Sequence, residues 1–182
     1  NKKLIREIAK VTADEAKALG YTNIYAPILD IAQDPRWGRV VESYGEDPYL
    51  ASRMGVEFIK GVQKNRVICS PKHFLANFVG DGGRDSGNAG MSERELREIH
   101  MQPFEAAVRE AHVKSLMAAY NSLDGIPCSA NRWLLTDVLR KEWGFDGYVV
   151  SDWSAVNHAH GALHIAPTKA EAAALCAKAG MD

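Results

Sequence analysis

Apolar residues recur at helical spacing from position 3 to 19, where Ile5, Ile8, Ala9, Ala16 and Leu19 share a face and Gly20 suits the helix end. Thr12 is the one polar member of that stripe. The spacing then changes. Ile24 to Ile31 is a short apolar run of strand type, followed by a polar loop, Gln33-Asp-Pro-Arg-Trp-Gly-Arg39. Asp47-Pro48 fits an N-cap with proline at the first helical position, and Leu50, Met54, Phe58 and Val62 continue a helix at intervals of four. Val67 to Pro71 predicts a second strand that ends at Lys72-His73-Phe74, and a long glycine-rich loop runs from about 77 to 91. Ser92-Glu-Arg-Glu95 is a capping box for a helix reaching about Ala111, which Pro103 should kink or split. Ser115 to Ala119 predicts a third strand, and Tyr148 to Ser151 a fourth. Between them, Asn131 opens a helix carrying Leu134, Leu135, Val138 and Leu139, stopped by Gly144. Thr168-Lys-Ala-Glu171 is a second capping box, for a last helix ending at Gly180.

The strands are short and apolar on both faces, as parallel strands covered by helices are. Repeated strand-helix units give a (β/α)8 barrel or a doubly wound sheet. The first strand is not followed by Gly-x-Gly-x-x-Gly, which disfavours a dinucleotide fold. A closed eight-stranded barrel takes about 250 residues. The chain has 182, so it reads either as part of a barrel or as a smaller open sheet.

Composition narrows the function. At 46% hydrophobic and 25% charged residues, the chain has the make-up of a soluble globular domain. A net charge of -1 provides no basic surplus for phosphates, which argues against a nucleic-acid partner. No apolar run reaches bilayer length, so no membrane partner is expected. Asn1-Lys-Lys-Leu-Ile-Arg6 reads as a helix start and not as a signal peptide, and a periplasmic or secreted location stays open. Cys69, Cys128 and Cys176 are widely spaced and are expected to be buried thiols.

Polar residues with chemistry to offer cluster just after the strands. Arg36 and Arg39 follow the first, Lys72 and His73 the second, Tyr120 and Asn121 the third, Asp152 and Trp153 the fourth. Active sites of barrels and open α/β sheets lie at the carboxyl ends of strands. Each group also has a plainer reading. Asp152 equally suits an N-cap. Lys72 and His73 equally suit a solvated loop mouth, Arg36 and Arg39 a surface ion pair with Glu42 or Glu46, and Tyr120 a half-buried core position. The four tryptophans suit the core better than a ligand platform. His158, His160 and His164 hint at metal, but Gly161 and Pro167 argue against a helix there, and no metal is expected. Gly80-Asp-Gly-Gly83 lacks the ending of a phosphate-binding P-loop.

The chain resembles the N-terminal barrel domain of glycoside hydrolase family 3, the β-glucosidases, β-xylosidases and exo-β-glucanases. The resemblance rests on ordered segments along nearly the whole chain. They are Ala26-Pro-Ile-Leu-Asp-Ile31, Asp34-Pro-Arg-Trp-Gly-Arg39, Glu42-Ser-Tyr-Gly-Glu-Asp-Pro48, Lys72-His-Phe74 and Ser92-Glu-Arg-Glu-Leu-Arg97. Met117-Ala-Ala-Tyr-Asn121, Gly125-Ile-Pro127, Leu134-Leu-Thr-Asp-Val-Leu139, Trp143-Gly-Phe145 and Val150-Ser-Asp-Trp153 continue the series. The resemblance implies that residues 1–182 are part of a (β/α)8 catalytic barrel, incomplete at both ends. It implies Asp152 as the nucleophile of a retaining exo-acting β-glycosidase, with β-glucosidase ahead of β-xylosidase. It implies Arg39, Lys72 and His73 as hydrogen-bond partners of the hydroxyls of a terminal β-linked sugar, Tyr120 beside the nucleophile, and Met117 and Trp153 as pocket walls. No cofactor is implied. The family's general acid/base is a glutamate in a second, α/β-sandwich domain, and a further sugar-binding aspartate lies on an earlier strand; neither is expected among these residues. The branch of the family with an Asp-His pair in the loop after Lys-His is disfavoured, since residues 80–90 hold no histidine. Two other readings remain: a non-catalytic sugar-binding or structural piece, and a metal-dependent hydrolase built on the histidine stretch.

Overall fold

The computed structural model describes residues 1–182. Its first helix, α1 (Lys2–Ala18), packs on α2 (Pro48–Lys64). Asp47 caps α2 as its sequence suggests, the carboxylate accepting the Tyr49 N–H at 2.9 Å. The contact faces differ from the expected stripes. In α1 the buried residues are Ala9, Ala13 and Ala16, whereas Ile8 and Leu19 are exposed. In α2 the buried face is Ala51, Ser52, Gly55, Val56, Ile59, Gly61 and Val62, displaced from Leu50, which is exposed. The reason is close approach. A Cβ at Gly61 would stand 2.7 Å from the Ala9 Cβ and 2.9 Å from the Arg6 carbonyl. Small residues therefore define the seam, and the larger apolar groups are left to its sides.

Four parallel strands carry the rest: β1 (Asn23–Ile24), β2 (Ile68–Cys69), β4 (Ser115–Ala118) and β7 (Tyr148–Ser151). β1 pairs with β2 and β4 with β7, and a parallel bridge between Phe74 and Ala118 joins the two pairs. The order along the sheet is thus the order in the chain. Each strand returns to the sheet through helix, as in a (β/α)8 barrel, of which these units form a part. The first strand is shorter than the run Ile24 to Ile31, but the bridge Ile28–Lys72 continues the pairing beyond it.

The glycine-rich segment is not a bare loop. β3 (Asn88–Ala89) pairs with β5 (Ser122–Leu123), which forms a hairpin with β6 (Ile126–Pro127). The hairpin turns at Asp124 and Gly125, both with positive φ. This flap ties the segment after β2 to the segment after β4.

The Ser92 hydroxyl accepts the Glu95 N–H at 3.2 Å, so the N-cap half of that capping box forms at α3 (Glu93–Glu95). Pro103 has the predicted effect. A π-helical turn, Leu96–His100, precedes α4 (Gln102–Arg109), whose first turn holds Pro103. After β6, Asn131 accepts the Leu134 N–H at 3.1 Å and opens a π-type helix, Trp133–Glu142. Leu134, Leu135 and Leu139 are fully buried, and each such side chain stabilises the fold by about 1.5–3 kcal/mol. All three cysteines are buried and free.

Two final helices follow β7, α5 (Ala155–Gly161) and α6 (Lys169–Ala179). α5 overturns the expectation of no helix near Gly161: that glycine is the last helical residue and interrupts nothing. Thr168 caps α6 through the Glu171 N–H at 3.2 Å.

Candidate active site

The strand geometry sets the side chains of the site. Lys72 is locked into the sheet edge: its N–H donates to the Pro27 carbonyl at 3.0 Å, and its carbonyl accepts the Leu29 N–H at 2.7 Å. On the other side, Met117 donates to the Pro71 carbonyl at 3.0 Å and accepts the Phe74 N–H at 2.8 Å. Residues 71–74 are held between β1 and β4, with the Lys72–His73 and Phe74–Leu75 peptides cis. The Asp152 N–H reaches the Ala118 carbonyl at 3.3 Å, which fixes the end of β7.

At this rim His73 is fully buried. Its Nε2 lies 3.6 Å from the Asp152 Oδ2 and 3.5 Å from the Arg39 Nη1. Its Nδ1 lies 2.7 Å from the Asp30 Oδ2. No local motif assigns Asp30 a role, although it sits inside the apolar run Ala26 to Ile31. That was the available signal, because a carboxylate buried among apolar residues needs partners.

Asp152 has its two oxygens in different surroundings. The Trp153 N–H donates to Oδ1 at 2.7 Å. Oδ2 is buried and has no hydrogen-bond partner. The side chain is 13% exposed, enough for one face to meet a ligand. The capping reading does not hold, since α5 begins at Ala155 after Ser154, not at Asp152.

Arg39 is held by a two-pronged contact with Glu42, Nε to Oε1 at 2.7 Å and Nη2 to Oε2 at 2.9 Å. The Arg39 hydrogen bond lowers the Glu42 pKa, with smaller contributions from Lys72 and His73. Lys72 is half-buried, and its charge reaches this group. Arg36 does not join the cluster. It pairs with Asp34 at 2.7 Å and not with Glu42 or Glu46.

The Tyr120 hydroxyl donates to the Trp153 carbonyl at 2.6 Å, and its ring stacks on His158 with centroids 5.1 Å apart. Burial pushes the Tyr120 pKa up to about 12, and the neighbouring Asp152 charge adds to the effect. Met117 is buried below the rim. Trp153 stands 85% exposed, unlike the buried Trp37 and Trp143 and the partly buried Trp133. Asn121 is buried and donates to the Leu75 carbonyl at 3.1 Å, a structural contact. No group of three His, Cys, Asp or Glu residues is arranged to hold a metal ion.

The arrangement leaves one carboxylate oxygen of Asp152 without a hydrogen-bond partner, beside an imidazole that in turn meets a guanidinium. Known proteins resemble the chain along its whole length. The family model described as "Glycosyl hydrolase family 3 N terminal domain" matches residues 1–182. A β-xylosidase of Formosa agariphila is 50% identical over 98% of this chain and 26% of its own length. A periplasmic β-glucosidase of Salmonella typhimurium is 39% identical over 98% of this chain and 24% of its own. A solved β-glucosidase from Listeria innocua superposes with a TM-score of 0.95 at 38% identity, covering 100% of this chain and 26% of that one. The chain thus spans about a quarter of the length of these relatives.

Proposed function

This chain belongs to glycoside hydrolase family 3, and we propose that it forms part of the catalytic barrel of a retaining, exo-acting β-glycosidase with Asp152 as nucleophile. The substrate class is a terminal, non-reducing β-linked glucosyl or xylosyl unit. Relatives named β-glucosidase and β-xylosidase both support that class.

One observation carries the reading: Asp152 Oδ1 is pinned by the Trp153 N–H while Oδ2 has no partner. Pinning one oxygen sets the direction of the other without consuming it. In the first step the Asp152 carboxylate bonds to the anomeric carbon, the glycosidic C–O bond breaks, and the leaving oxygen takes a proton from the general acid. In the second step water, deprotonated by the same group, displaces Asp152 and restores the carboxylate. Arg39 and Lys72 are the donors to the sugar hydroxyls, since charged donors make stronger bonds than neutral ones, and His73 meets a hydroxyl as a hydrogen-bond partner through Nε2. Met117 and Trp153 wall the pocket.

The general acid/base is a separate carboxyl group, which retaining chemistry sets about 5 Å from the nucleophile. Two carboxylates near the rim are already engaged: Asp30 with His73 and Glu42 with Arg39. A third, Asp85, lies within electrostatic reach of Arg39 and Tyr120, so the assignment of the acid/base to a glutamate outside residues 1–182 rests on the family resemblance.

In the intact protein, Asp152→Ala should cut p-nitrophenol release from the β-glucoside and β-xyloside by about 10³-fold or more. Activity within a few-fold of the unsubstituted protein would sink the assignment.

A further inference from the structure

Asp30 is 2% exposed and His73 is fully buried. Three N–H groups converge on this one carboxylate. Oδ2 accepts from the His73 backbone N–H at 2.8 Å and lies 2.7 Å from Nδ1. Oδ1 accepts from the Asn77 N–H at 3.1 Å. Two of the three partners are backbone groups that can only donate. An ionised carboxylate satisfies all three when Nδ1 also carries a proton. The hydrogen bond made by one ring nitrogen decides what the other presents. Nε2 is left for the rim, beside Asp152 and Arg39.

We propose that Asp30 is a positioning residue for the reaction: acting through His73, it holds the ring so that Nε2 faces Asp152 and the bound sugar, while the same carboxylate fixes the turn at Asn77. The proposal rests on the reading of Asp152 as nucleophile. A ring turned over would offer Nδ1 to the sugar and leave Asp30 without its side-chain partner. Burial makes that exchange costly, because the two backbone donors remain but no water can replace the lost ring N–H.

Asp30→Asn keeps the shape; with its NH2 in the place of Oδ2, so that the amide oxygen still accepts the Asn77 N–H, the variant sets a donor against the His73 N–H and Nδ1. Nitrogen-15 NMR of ring-labelled histidine in the intact protein, assigned against His73→Ala, should find Nδ1 of His73 protonated. In Asp30→Asn the ring should move to the Nε2–H tautomer. The kcat/KM for 4-nitrophenyl β-glucoside should fall about 10- to 100-fold, by analogy with the loss of groups that orient metal-bound imidazoles. In a His73→Ala background the same substitution should cost less than about twofold, since residues that act through one another are not additive. A neutral His73 protonated at Nε2 in the unsubstituted protein would overturn the proposal, whether or not the variant folds. So would a loss from Asp30→Asn that persists undiminished in His73→Ala. Failure of the Asp152 reading shows separately, as full activity of Asp152→Ala, and leaves the tautomer measurement intact.

Discussion

His73 Nε2 lies 3.6 Å from Asp152 Oδ2, although the two residues follow strands separated by β4. The contact depends on register. Phe74 pairs with Ala118, and the Asp152 N–H returns to the Ala118 carbonyl, so both rim residues are referenced to one position on β4. A barrel edge thus brings together groups 79 residues apart without any long loop having to order them (152 minus 73).

The Arg39–Glu42 contact makes a first prediction. Glu42 holds the guanidinium by two hydrogen bonds, which leaves Nη1 toward His73. Glu42→Gln should release that fork and raise KM about five- to twentyfold, with kcat changing less, since bonds to charged groups contribute about 1.5–3 kcal/mol. Steady-state kinetics on an activated β-glycoside measures the split. An unchanged KM would mean that Arg39 does not meet the sugar.

Tyr120 gives a second. With its pKa near 12 the hydroxyl remains protonated across the working range, as its bond to the Trp153 carbonyl requires. Tyr120→Phe should lower kcat/KM about fivefold, the equivalent of one hydrogen bond, and by the same factor at pH 5 and pH 8. A displaced limb in the pH profile would contradict this account of the hydroxyl.

His100 gives a third, at the π-helical turn. It is buried, neither ring nitrogen has a partner, and burial lowers its pKa to about 4 against a smaller, opposing pull from Asp30. Unfolding would let the imidazole titrate near its ordinary 6.5. Stability from this group is complete above that value and is lost as pH falls toward 4, by roughly 3 kcal/mol. Hydrogen exchange across residues 93–109, corrected for intrinsic rates, should show the loss, and His100→Leu should flatten it. Equal slopes in the two proteins would refute it.

Gly61 gives a fourth. An alanine in a helix interior usually gains up to about 1 kcal/mol over glycine. Here its Cβ would press on Ala9 and on the Arg6 carbonyl, so Gly61→Ala should instead destabilise by about 1–3 kcal/mol. Gly161, with nothing within 4 Å of its would-be Cβ, should tolerate alanine. Thermal melts of the two variants compare the signs directly.

Much of this was legible in the sequence where local chemistry is decisive. Asp47, Ser92, Asn131 and Thr168 cap where their spacing says, and the run Tyr148 to Ser151 is a strand to the residue. Helix faces were less legible. The periodicity of α1 favours its larger residues, but close packing on Gly61 selects the alanines. The flap β3, β5 and β6 escaped notice because two-residue strands have no period, although Asp124-Gly125 is a hairpin signal. At the rim, strand ends pointed to His73 and Asp152. The link through Asp30 did not emerge, because it depends on a bridge from Ile28 to Lys72 that no local pattern encodes.

The identity of the nucleophile is tested most directly by trapping. Incubating the intact protein with a 2-fluoro β-glucoside or β-xyloside that carries a good leaving group, then mapping peptides by mass spectrometry, should place a single 2-fluoroglycosyl ester on Asp152. A stable adduct on any other carboxylate, or turnover of the natural glycoside with inversion at the anomeric carbon, would contradict the account.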